Sequence, residues 1–109
     1  MIYNNKTLNT FEELFNEGLR LARENRDEAQ EFFKEYISYI SKENGCSLEE
    51  AERIAKSNFG YFAGYYNQEV CDIIYKTYQC SHPIFGDKPF SVSAEDAYKK
   101  GLEIGRQIQ

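Results

Sequence analysis

The side chains best equipped for chemistry in this chain are its three cysteines and single histidine, and two of these sit almost together in Cys80-Ser81-His82. With Cys46 and Cys71 they would offer three thiolates and an imidazole, a donor set that zinc accepts. The spacing opposes that use. Structural zinc draws on ligand pairs about two to four residues apart, whereas here only Cys80 and His82 are close, with one residue between them. A Cys80–His82 catalytic pair fares no better. A nucleophilic thiol needs a base within hydrogen-bond reach and a third group to orient that base, and the lone histidine has no visible partner. The plainer role for His82 is to cap a helix end or to hydrogen-bond the backbone just before Pro83. No metal, cofactor or catalytic residue is expected.

Aromatic side chains make a stronger case. The stretch GYFAGYYNQEVCDIIYKTYQCSHPIFG, residues 60–86, carries Tyr61, Tyr65, Tyr66 and Tyr75, too many hydroxyls for one small core to satisfy. Tyr61 and Tyr65 are four residues apart, on a different helical face from Phe59, Phe62 and Ala63. An exposed ring pair beside an irregular loop suits an interface. The expectation is a non-enzymatic protein that binds another protein or a second copy of itself through Tyr61, Tyr65, Tyr66, His82 and Phe85. The alternative is a small-ligand or nucleotide sponge, with tyrosines stacked on a flat group and Lys99, Lys100 or Arg106 meeting phosphate. No glycine-rich phosphate loop accompanies those cations.

The elements that must position these residues read as helices. Thr10-Phe11-Glu12-Glu13 fits a capping box, and Phe11, Leu14, Phe15, Gly18, Leu19 and Ala22 follow on one face. Asp27-Glu28-Ala29-Gln30 repeats the start signal before a stripe of Ala29, Phe32, Phe33, Tyr36, Ile37 and Ile40, and Asn44-Gly45 ends it. Ser47-Leu48-Glu49-Glu50 opens a third helix whose periodicity runs on to Tyr66 through Gly60 and Gly64, with a break at 58–60 as the competing reading. Asn67 caps a fourth. Ser93-Ala94-Glu95-Asp96 opens a last one, after a long irregular loop over residues 80–92 that holds both prolines. In that loop Phe85 is expected to anchor in the bundle, since burying its ring contributes about 2–3 kcal/mol.

Gly60 and Gly64, like Gly101 and Gly105, are four apart. Each pair would leave one helical face flat enough for close packing of the central helix on the last. Strand alternation is nearly absent. The fold class is therefore all-α: a single domain, residues 1–109, of four to six helices packed around Phe15, Phe32, Phe33, Ile37, Ile40, Ile54, Phe59, Phe62, Ile73 and Ile74.

Charge narrows the partners. The chain carries a net charge of -5 at pH 7, with the acids concentrated in the first half, mainly opposite the apolar stripes. That is the arrangement of a solvated face. No lysine or arginine cluster exceeds the pair Lys99–Lys100, so direct nucleic-acid binding is not expected. No apolar run approaches the ~20 residues of a membrane span. The N-terminal residues lack a signal peptide's basic start and apolar stretch, and three irregularly spaced cysteines suit free thiols in a reducing cytoplasm.

The segments SNFGYFAGYYNQEV, CSHPIFG and SAEDAYKKG resemble small proteins encoded by bacteriophages and prophages. The matching positions are Gly60, Tyr61, Ala63, Gly64, Tyr65, Tyr66, His82, Pro83, Phe85, Gly86 and Ala97, within residues 47–105. The resemblance implies a phage setting inside a bacterial cell, where the partner would be a host protein, and brings no enzyme activity or catalytic residue with it.

Overall fold

Four helices carry the described part of the chain: α1 (Phe11–Glu24), α2 (Arg26–Asn44), α3 (Leu48–Ala63) and α4 (Gln68–Tyr78). They follow a two-stranded hairpin, β1 (Ile2–Tyr3) and β2 (Lys6–Thr7). The structure is a computed structural model and describes residues 1–64, 66–80, 99, 100, 102 and 103. Lys99, Lys100, Leu102 and Glu103 are helical, where the sequence places a last helix. The remainder of that helix, its Gly101–Gly105 face and the loop expected over 80–92 lie outside the described residues, apart from Cys80.

Side-chain caps start each helix. The Thr10 hydroxyl accepts from the Glu13 amide at 3.1 Å, and Ser47 accepts from Glu50 at 3.1 Å. Asn67 accepts from Val70 at 3.0 Å. One start differs from expectation. The second helix is capped two residues before Asp27, because Asn25 is at once the last cap of α1 and the first of α2. Its side chain accepts from the Glu28 amide while its own N–H donates to the Leu21 carbonyl. A polar residue with extended backbone can serve both ends, so the connection needs no further residues.

The hairpin was not foreseen. Ile2 pairs with Thr7 and Tyr3 with Lys6, around Asn4 and Asn5 at φ of 52° and 66°. Asparagine tolerates this left-handed geometry better than other non-glycine residues, but four strand residues are too few to show alternation. The hairpin is tied down by Tyr3, whose ring meets Phe32 edge-on at 5.0 Å, and by Asn4, which donates to Glu28 at 2.9 Å.

α3 is the central helix. It continues through Gly60 and ends at Ala63, so Gly64 is its cap and Tyr66 lies beyond it. From Asn58 to Ala63 every residue is buried, as befits a helix apolar all round at one end. Phe59 stands at the middle, with the rings of Phe11, Phe15, Phe33, Tyr36 and Tyr78 at 5.2–5.9 Å. Of the expected core, Phe15, Phe32, Phe33, Ile40, Ile54, Phe59, Phe62 and Ile74 are buried, whereas Ile37 and Ile73 pack partly buried at its edge. Leu21 and Glu17 are buried in addition.

Candidate functional site

An open groove of about 560 Å³ lies between the hairpin and α1. Lys6, Thr7 and Leu8 form one wall, and Glu13, Asn16, Glu17 and Arg20 form the other. Glu17 is only 7% exposed, an unusual burial for a carboxylate. Its place in α1, between Leu14, Gly18 and Leu21, draws it under the hairpin. Arg20, one turn on, grips it with two nitrogens at 2.7 and 3.1 Å, and Lys6 approaches from β2 at 3.0 Å. Arg20 also reaches Glu24 at 2.6 Å.

This geometry fixes the groove's chemistry. The hydrogen bonds from Arg20 hold the Glu17 carboxyl below its ordinary range, against the opposing effect of burial, and Lys6 adds to the lowering. The paired acids hold the Arg20 guanidinium more firmly protonated still. A carboxylate kept ionised and engaged by two cations is poorly placed to exchange protons near neutral pH. Its role in this arrangement is to fasten the hairpin to α1. Sequence reading placed Glu17 on the solvated face. The available signal was its i,i+3 spacing to Arg20, whereas Lys6 arrives through the unforeseen hairpin.

A second depression, of about 300 Å³, lies where α2 and α3 meet. Ile37 and Leu48 contribute apolar surface, and Lys34, Ser38, Glu49 and Glu52 surround them. Leu48 is 61% exposed, beside the partly buried Ile37. It is the first residue of α3, directly after the Ser47 cap.

The tyrosines expected at an interface are differently placed. Tyr61 is 3% exposed, buried on the far side of α3 rather than presented to solvent. Burial raises its hydroxyl's pKa, and the charge of Glu103 raises it further. Tyr66 is half-buried and lies flat against Phe15, with ring centroids 5.3 Å apart and planes at 14°. Its hydroxyl donates to Asn16 at 3.1 Å, which pins the α3–α4 connection onto α1. Both rings thus serve packing, and the exposed Tyr61 surface is corrected. Tyr65, His82 and Phe85 lie outside the described residues, as does Arg106. Lys99 is exposed, and Lys100 faces Glu103 at 3.6 Å.

The thiols are dispersed. Cys46 follows α2, Cys71 is buried in α4 with its sulfur 3.1 Å from the Ala63 carbonyl, and Cys80 donates to the Ile74 carbonyl at 3.7 Å. Burial pushes the Cys80 thiol up to about 12, so it stays protonated and weakly nucleophilic at neutral pH. Among the described residues no group of three His, Cys, Asp or Glu side chains is arranged to hold a metal ion, and no helix is long and apolar enough to cross a membrane. Comparison of the chain with protein-family models, curated proteins and solved structures returns no match.

Proposed function

We propose that this chain is a non-enzymatic binding protein that acts by contact with another protein at the face where α2 meets α3. The observation that carries the reading is Leu48. A large apolar side chain, 61% exposed, stands beside Ile37 in a depression rimmed by Lys34, Glu49 and Glu52. An apolar centre with a charged rim is the usual anatomy of a protein-binding patch. The hairpin groove supports the same reading, because its buried carboxylate is occupied in ion pairs and serves structure. The partner is a host protein in the bacterial cytoplasm or a second copy of the chain. The phage-accessory setting that the sequence resemblance implies belongs to this proposal.

Leu48→Glu tests it. Leu48 is the first residue of α3, where an acidic side chain suits the helix dipole, so the variant keeps its fold. Light scattering after size exclusion reads self-association, and crosslinking in bacterial lysate reads capture of another protein. The expected result is a saturable complex formed by the wild type and lost in Leu48→Glu at unchanged melting temperature. A complex that survives the substitution, or a wild type that stays monomeric and captures nothing, would overturn the proposal.

A further inference from the structure

Asn44-Gly45 closes α2, and it joins a side-chain amide to the least hindered backbone nitrogen a chain can offer. Gly45 has φ +61°, and among the described residues, its two chain neighbours aside, no atom lies within 4 Å of where a Cβ would stand. It is exposed at the corner between α2 and α3. Such a pair is open to an intramolecular reaction. The Gly45 nitrogen attacks Asn44 Cγ, a new C–N bond forms, and the side-chain nitrogen leaves as ammonia with the proton given up by Gly45. Water then opens the cyclic imide at either carbonyl, giving aspartate or isoaspartate.

The cap engages both reacting groups. Asn44 Nδ2 donates to the Ile40 carbonyl at 3.0 Å, and the Gly45 N–H donates to the Ser41 carbonyl. The same carbonyl accepts from Cys46 at 3.2 Å, and the Ser41 hydroxyl donates to the Cys46 carbonyl at 2.6 Å, so the turn is closed twice over. We propose that Asn44–Gly45 is a self-modification site gated by the α2 cap, silent while these hydrogen bonds hold and reactive when the corner opens. Both products disfavour the closed corner. Isoaspartate inserts an extra carbon into the backbone, and either product places a negative charge at a helix C-terminus, where the dipole opposes it. Conversion therefore favours the open corner, two residues from the Ser47 cap of α3 and three from the exposed Leu48.

Peptide mapping by mass spectrometry, with chromatographic separation of aspartyl and isoaspartyl products, reads the reaction at one mildly alkaline pH in native buffer and in urea. Conversion in urea should be faster by about tenfold or more, the protection of a cap that is open only a small fraction of the time. Ser41→Ala removes one closing hydrogen bond without touching either reacting group, and should raise the native rate roughly two- to tenfold while leaving the urea rate unchanged. Equal rates in native buffer and urea would overturn the gate, as would a native rate unmoved by Ser41→Ala. Absence of conversion in urea would overturn the site itself.

Discussion

The Tyr78 hydroxyl, on the last turn of α4, donates at 2.6 Å to the carbonyl of Gly18 in the middle of α1. The two residues are 60 apart in sequence, and their bond crosses the buried centre of the bundle. Burial raises the Tyr78 hydroxyl's pKa well above the ordinary tyrosine value, so it remains a donor at neutral pH. Tyr78→Phe is expected to cost about 1 kcal/mol by the loss of a buried hydrogen bond, measured as a lowered urea midpoint with an unchanged slope.

Gly18 also lets the rings of Phe59 and Phe32 pack close against α1 by being small. A Cβ there would stand 2.9 Å from Phe59 Cε2 and 3.2 Å from Phe32 Cε2. Alanine would gain helix propensity of up to ~1 kcal/mol, yet Phe59 is hemmed in by five rings and cannot yield without disturbing them. Overpacking of that kind costs about 1–3 kcal/mol. Gly18→Ala is therefore expected to be destabilising by about 1 kcal/mol on balance, by thermal or denaturant unfolding. A stabilised variant would show that the aromatic cluster is looser than these distances imply.

Asn58 is fully buried and gives its amide to the Tyr36 hydroxyl at 2.8 Å, while its Oδ1 has no hydrogen-bond partner. Removing one member of such a pair leaves the other's polar atoms stranded, whereas replacing both by apolar groups of similar size is far less costly. Tyr36→Phe alone should lose about 1–2 kcal/mol. The double variant Tyr36→Phe with Asn58→Leu should recover part of that loss, which a double-mutant cycle will register as a favourable coupling.

These central residues also mark how far sequence could lead. Helix starts were legible because Thr10, Ser47 and Asn67 each accept a bond from an amide three residues on, an interaction settled within one turn. Gly45 ended α2 for a similarly local reason. The burial of Tyr61 and Glu17 was not legible. Periodicity tells which residues share a face, but not whether a second face is covered too, and α3 is enclosed from Asn58 to Ala63. Glu17 is drawn in by Lys6 across a hairpin with too few residues to signal itself.

That difference gives the tyrosines a clear test. Had Tyr61 and Tyr66 been surface anchors, alanine there would weaken association and spare stability. With Tyr61 buried and Tyr66 laid against Phe15, each truncation should lower the melting temperature, at a cost of about 2–4 kcal/mol for Tyr61 and less for the half-buried Tyr66. Tyr66→Phe keeps the stack and loses the exposed bond to Asn16, so it should be nearly neutral.

Glu17 supplies the pH dependence. Its carboxyl titrates below the ordinary value of 4.5 in the folded protein, chiefly because Arg20 hydrogen-bonds the ionised form. A depressed folded pKa means that folding favours the carboxylate, so the stabilisation is complete above the ordinary value. It is lost as pH falls through the folded one. Glu17→Gln keeps the shape, removes the charge and should cost about 1 kcal/mol at pH 7, a modest figure because Lys6 and Arg20 are themselves half exposed and screened by water. Unfolding curves for the two proteins should converge as the pH drops below 4.5, since the wild type then loses what the variant never had. A gap that stays constant down to strong acid would mean that the substitution acts through packing, and that the ion pairs do not hold the hairpin.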